Sequence, residues 1–469
     1  MRWPDHPLRR WCGAVGVAAA LAAGAGAPAP ATYSARTTAD EPQYLLSALS
    51  LAEDGDLDIA DELADRRWRA FHAAGLPEQT RQLPDGRRVS PHDPLLALLL
   101  APGVAAAGWL GAKLTLALVG GALAALLTWT SVVRCGTTPR VAASCVGVFA
   151  LAAPLVAYGG QVYPELPAAL AVTAAIALLT GPLRRTALLG LAAAVVALPW
   201  LGLKYAAVTA VLALLGAGRL VRTGRMGAAA GLACGLAAAG VVFVAVHQSV
   251  WTGWTAYASA DHFAAGGELG VVGFAPDYLG RSTRLLGLLV DRGFGLAAWQ
   301  PAWLLAVPAL AAVARASGDA NRVRWVLLGP LLAGWLTATF AALTMHGWWF
   351  PGRQVVVVLP AAVLAVAMWA QGSRSRLRAV LGLGAAGLAS WAWLAVEALT
   401  GRRTLVVDFA ATANPLYRAW SLLLPDYLEG GPRTWLLHAA WLVTLAALAR
   451  LGWRGAAQPT ENSATMPSS

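Results

Sequence analysis

Charge is what this chain of 469 residues has least of. Asp, Glu, Lys and Arg make up 13% of it, against about 25% in an ordinary soluble domain. That shortage excludes a water-soluble globular fold. Lysine is nearly missing, with Lys113 and Lys204 the sole two, so arginine carries the basic excess behind the net charge of +11. The arginines sit mostly in short loops between apolar runs, a pattern that fits membrane topology and anionic lipid and not nucleic acid. Cysteine is sparse as well. Cys12, Cys135, Cys145 and Cys234 lie in or beside apolar segments without metal-site spacing, so neither a disulfide framework nor a zinc cluster is expected. The sequence also lacks a Gly-rich phosphate loop for cytoplasmic ATP and a Gly-x-Ser-x-Gly hydrolase elbow.

What the chain has instead is apolar length. Hydrophobic residues make up 58% of it, and runs of about 20 residues, enough to cross a bilayer as a helix, recur from end to end. The reading is an all-α polytopic membrane protein of about twelve spans, forming one domain over residues 1–451 with a polar tail at 452–469. Arg2, Arg9 and Arg10 precede the first run, Trp11 to Ala31. Its small-residue end, Ala27-Pro28-Ala29-Pro30-Ala31, leaves a cleaved signal peptide and a retained anchor both open, and either would export the adjoining loop. Residues 32–93 form that long outer loop, holding 12 of the 24 acidic residues, and 251–294 and 400–432 form further outer loops. Leu95 to Pro102 is too short to span and reads as an interfacial helix ending before Gly103. Spans are expected near 109–133, 141–158, 226–247, 295–314, 325–345, 355–370 and 379–399. A further span descends to Arg184-Arg185, a shorter pair hinges at Lys204, and a last span reaches Leu451.

Charge orients the bundle. Arg-rich turns at Arg134/Arg140, Arg184/Arg185, Arg219/Arg222/Arg225, Arg315/Arg322/Arg324 and Arg374/Arg376/Arg378 belong inside. Of the acidic residues, Asp5, Asp319 and Glu461 alone fall in segments read as inside. Both termini are therefore expected in the cytoplasm, with the protein in the plasma membrane.

Chemistry is expected at the outer surface, because the spans are almost pure Ala, Leu, Val and Gly. A solute transporter would place ionisable groups or paired broken helices near the midplane, and the sequence shows no internal repeat. Transport or flipping of a lipid-linked precursor is kept as the alternative function. The candidate residues are the acidic pair Asp40-Glu41, which opens the first loop, and Glu165 in the short turn Gln161-Val162-Tyr163-Pro164-Glu165. Lys204 in the hinge is next, with His346 and Arg353 in the turn His346-Gly347-Trp348-Trp349-Phe350-Pro351-Gly352-Arg353. A plain account of the pair is that an acid and Pro42 simply start a helix. His92 and His346 lie in outer turns, where structural roles compete with sugar contacts. His247 reads as interfacial, and Asp261-His262 and Asp291-Arg292 as loop polar groups.

A first span followed at once by Asp-Glu in the first exported loop resembles the GT-C superfamily of membrane glycosyltransferases. The nearest likeness is to its protein O-mannosyltransferase and aminoarabinose-transferase type. The long first loop, the second acidic position at Glu165, the hinged short pair and the aromatic-Arg turn extend the resemblance over most of the chain as architecture. It implies transfer of a sugar, mannose or arabinose-like, from a polyprenyl-phosphate donor to an extracytoplasmic glycan, lipid or protein acceptor, with inversion. By that likeness Asp40 is the general base and Glu41 its helper. Glu165, Lys204, His346 and Arg353 are substrate-binding, with the two cations meeting phosphate. No metal-ligating set is assigned; a divalent cation at Glu165 stays open. The short tail, without an added soluble domain, argues against transfer to Asn sequons.

Overall fold

The computed structural model describes residues 6–76, 78–261, 276–316 and 321–455. Every regular element among them is helical, and extended segments meet only as isolated bridges such as Asp58 with Val89. Among the described residues, seven stretches are long and apolar enough to cross a membrane: Leu95–Cys135, Leu203–Arg222, Met226–Ser259, Val323–Ala341, Arg353–Gln371, Arg374–Leu399 and Pro432–Gly455. Four shorter apolar helices, Pro139–Ala150, Glu165–Leu179, Arg185–Leu201 and Pro301–Arg315, pack among them. The first helix, His6–Gly26, lies along Leu95–Cys135. Burial ranks the helices. In the apolar window of Arg353–Gln371, 78% of residues lie inside the protein, whereas Pro432–Gly455 buries 6%. The former lies deep in the bundle, whereas the latter lies at its edge, packed along Ala306–Arg315.

Several expected spans are broken where the chain chemistry requires it. The run expected over 295–314 divides into Leu296–Trp299 and Pro301–Leu305, followed by Ala306–Arg315. Pro301 has no N–H to donate, so the helix cannot run through it. The buried Gln300 side chain covers the break: its amide nitrogen donates to the Val148 carbonyl at 3.0 Å and its oxygen accepts from Ala302 N–H at 3.4 Å. Irregular backbone inside a bundle survives only with such partners. Likewise, the span expected over 141–158 ends as a helix at Ala150 and resumes at Leu155, after Pro154. The interfacial helix expected to end before Gly103 continues instead to a break at Ala107 and Gly108. Gly108 has φ +56°, a conformation that costs glycine nothing. The chain then doubles back so closely that a Cβ on Gly111 would collide with the Gly103 carbonyl.

The polar segment after the first helix is structured too. Helix Glu41–Glu53 packs on Leu95–Cys135, and the short helix Ala60–Ala64 comes after it.

Close approach also joins the first helix to its partner. A Cβ on Gly121 would sit 2.7 Å from the Gly16 carbonyl oxygen and 2.9 Å from the Ala20 Cβ, the small-residue contact on which helix association in lipid relies. Gly121→Leu is therefore expected to force these helices apart. Overpacking of this kind costs about 1–3 kcal/mol, and the check is a lowered midpoint of thermal unfolding in detergent.

Candidate active site

Four charged side chains from distant parts of the chain meet at one point. Asp40 stands at the N-cap of Glu41–Glu53, yet its side chain makes no capping bond. Its Oδ2 instead accepts from Arg353 Nη2 at 2.6 Å. Arg353 Nε donates to Glu165 Oε1 at 3.0 Å, and Lys204 Nζ reaches the same oxygen at 2.5 Å. Tyr163 lies under the guanidinium, 4.0 Å from ring centre to Cζ, and Trp349 lies 4.9 Å away.

Local chemistry explains why each group is where it is. Pro164 caps the helix that Glu165 begins. Gly352 adopts φ +87°, and a Cβ there would press on Leu296 and Pro154 at 2.8 and 3.1 Å; this tight turn launches the helical run at Arg353. Gly202 ends Arg185–Leu201 and hands over to the turn carrying Lys204. All four groups therefore sit at helix starts, where partial positive charge collects.

The cluster forms one wall of a cavity of about 380 Å³. Asp40, Lys204 and Arg353 line it, with Tyr44, His92, Asp93, Tyr205, Tyr257 and Trp349. Thr337, Ala338 and Ala341, from a π-helical turn that ends Val323–Ala341, line it too. Exposure divides the cluster: the Asp40 and Lys204 side chains are 27% and 29% exposed, while Glu165 and Arg353 are 1% and 7%. Asp40 and Lys204 are the accessible faces and the other two the buried frame. Burial by itself would raise the Asp40 carboxyl, but the charges of Arg353, His92 and Lys204 outweigh it and hold Asp40 below the ordinary carboxylate range. Two cations already flank Glu165, so a metal ion there would have to displace them.

The other sequence candidates lie outside this four-residue cluster. Glu41 is fully buried and is not among the residues lining the cavity. Its two oxygens accept from the backbone of Thr38 at 3.2 Å and of Val162 at 2.8 Å, tying the first loop to the turn before Glu165. His346 also lies off the cavity wall. It faces Asp291, whose Oδ2 is 3.6 Å from its Nε2, and packs edge-on against Phe294. Asp291 itself braces the backbone of Gly293, Phe294 and Tyr427, and Arg292 approaches Asp426 at 3.5 Å. Asp261 joins the Gln79 carbonyl through its backbone N–H, and His262 lies outside the described residues. His92 stacks on Tyr44 at the cavity wall. His247 is buried against Trp251 and contacts Asp93 at 2.9 Å.

Asp93 is the cavity residue that sequence reasoning passed over. Its Oδ1 meets His247 and its Oδ2 accepts from Leu203 N–H at 3.1 Å, beside Lys204. The signal was there: an acid held between two prolines in Pro91-His92-Asp93-Pro94. The cavity tyrosines carried no comparable mark.

The chain is similar in fold to ArnT. The solved structure concerned is the crystal structure of ArnT from Cupriavidus metallidurans bound to undecaprenyl phosphate, matched with a TM-score of 0.52 over 94% of this chain and 75% of that one. Sequence identity is 16%, so the likeness is one of architecture. No protein-family model matches the sequence, and no curated protein matches it.

Glu41 generates a pH-dependent prediction. Burial is the main reason its carboxyl is raised from 4.5 to about 7, against the lowering effect of Lys113 and the two backbone N–H groups. An acid raised on folding binds its proton more tightly in the native state. Its contribution to stability is full below 4.5 and is lost as pH rises through about 7. Thermal unfolding across that window should show this decline in the wild type. Glu41→Gln should flatten it.

Proposed function

We propose that the chain is an integral-membrane glycosyltransferase of the GT-C type. It moves a mannose- or arabinose-like sugar from a polyprenyl-phosphate donor to an extracytoplasmic glycan, lipid or protein acceptor. The observation that carries this reading is the joining of Asp40, Arg353, Glu165 and Lys204 into one hydrogen-bonded cluster on a cavity wall. The fold likeness to a protein crystallised with undecaprenyl phosphate supports a polyprenyl-phosphate partner.

Chemistry assigns the roles. Lys204 and Arg353 suit a phosphate, one as a mobile point charge and the other as a planar fork. The helix starts around them add favourable potential for an anion. Asp40 is the base: it is ionised, open to the cavity, and free of any capping duty. As the acceptor hydroxyl attacks the anomeric carbon opposite the phosphate, Asp40 takes its proton. The carbon–oxygen bond to phosphate breaks, the phosphate leaves with the electron pair, and its charge falls on Arg353 and Lys204. A donor phosphate that draws Arg353 towards itself also loosens the Asp40–Arg353 pair and makes Asp40 more basic when the acceptor is in place. Glu41 is a positioning residue in this scheme, holding the loop behind Asp40.

Topology completes the reading. We read the seven long helices, the four shorter apolar ones and His6–Gly26 together as the twelve expected crossings. On that reading the positive-inside rule, applied to the arginine turns, favours cytoplasmic termini in a plasma-membrane protein and an outer 32–93 loop.

Two measurements test this. Asp40→Asn should insert and express normally while sugar transfer falls by about 10²–10⁴-fold, the usual contribution of a general base; full transfer by that variant would refute the assignment. Cells lacking the chain should accumulate one polyprenyl-phospho-sugar, and Asp40→Asn should fail to clear it. A flippase would tolerate the same change. Separately, Lys204→Ala should weaken donor binding, read as a raised KM for the lipid-linked sugar.

A further inference from the structure

The helix that Asp40 caps has a second charged end. Glu41–Glu53 is 13 residues long, so at a rise of 1.5 Å per residue its far end lies about 20 Å from Asp40 along the helix axis. There the chain turns through Asp54 into Ala60–Ala64, and the stretch 53–65 carries seven acidic residues and no basic one. Two of the seven are committed to the turn. Asp56 Oδ1 accepts from the Ser50 hydroxyl and from Asp58 N–H, each at 2.9 Å. Asp58 Oδ1 accepts from Arg88 N–H at 2.9 Å and Ala60 N–H at 3.2 Å.

Glu62 is different. It is 2% exposed, and neither of its carboxylate oxygens has a hydrogen-bond partner among the described residues. What it faces is more negative charge: one oxygen each from Asp54, Asp61 and Glu62 lie within 4.8 Å of one another. Arg67, which could have answered them, gives its guanidinium to Glu53 through two bonds of 2.8 and 2.7 Å. A buried carboxylate without a donor, beside two more carboxylates, lacks a counter-charge.

We propose that Asp54, Asp61 and Glu62 form a binding site for a divalent cation of the calcium class. The donor set is all oxygen and all anionic, which suits a hard ion. Two ligands come from the exposed Asp54 and Asp61, so water can complete the shell, and calcium tolerates the irregular geometry that magnesium resists. Asp54 is also the C-cap of Glu41–Glu53, where the negative end of the helix dipole favours a cation. A bound ion would fasten Ala60–Ala64 to that helix end and stiffen the loop whose other end presents Asp40. The site is separate from the cavity and stands independently of the sugar-transfer reading.

The test uses the purified full chain in detergent, stripped with EDTA. Thermal unfolding is followed with added calcium, with magnesium, and with sodium at matched ionic strength. Calcium should raise the midpoint saturably, since a ligand bound by the folded state alone stabilises it by mass action, and magnesium should do so less. Asp61→Asn and Glu62→Gln should abolish the rise, while Asp85→Asn, at a carboxylate paired with Arg87, should leave it intact. Glu62→Gln removes an uncompensated buried charge, so in EDTA it should unfold no earlier than the wild type and loss of folding does not confuse the result. A wild-type protein indifferent to calcium would overturn the proposal, as would a calcium response unchanged in both variants.

Discussion

The guanidinium of Arg353 is the constraint on which the site depends. It is 7% exposed and bonded to two carboxylates, one of them almost wholly enclosed. A charge taken out of water carries a desolvation cost of several kcal/mol and survives only when paired with good geometry. Arg353 therefore cannot be seated until Asp40 and Glu165 arrive, and Glu165 cannot be buried without Arg353 and Lys204. Four helix starts are locked together by this mutual requirement. The bundle around them is held mainly by apolar packing and close small-residue contacts.

Adjacent residues divide the labour in a way that helix geometry compels. Successive side chains on a helix diverge by about 100°, so Asp40 and Glu41 cannot share a target. Glu41 turns inward and ties Thr38 to Val162. That takes over the local bracing an N-cap acid would ordinarily provide, and leaves Asp40 to the cavity. The Tyr163 ring under the guanidinium and the Trp349 ring beside it hold the cation by cation–π contact as well as by charge. What results is a corner of fixed charges on the wall of a cavity that apolar residues such as Val208, Ala338 and Val357 also line.

Much of this was legible in the sequence. Shortage of charge and repeated apolar length define a helical membrane bundle, and the hinge at Lys204 and the turn before Arg353 were visible as Gly, Pro and aromatic punctuation. The misjudged boundaries have local reasons. Gly108 with its left-handed backbone ends the first part of Leu95–Cys135, where Gly103 had seemed the stronger stop, and Pro301 with Gln300 divides a run that hydropathy alone joins. Asp93 and His346 show the limit more sharply. Both sit in polar turns between apolar segments and look alike in the chain, yet one lines the cavity and the other sits beside Asp291.

By itself the sequence determined the class, the runs of helix, and the helix starts that carry charge, because each depends on side chains within a few residues of one another. Tertiary structure decided which of the charges meet. Asp40 and Arg353 are 313 residues apart, and nothing local to either indicates the other. Burial sorts the acids, since a carboxylate leaves water at low cost only beside a cation or hydrogen-bond donors. That selection made Asp40 a cavity group, Glu41 a strut, and Glu62 a carboxylate still lacking its counter-charge.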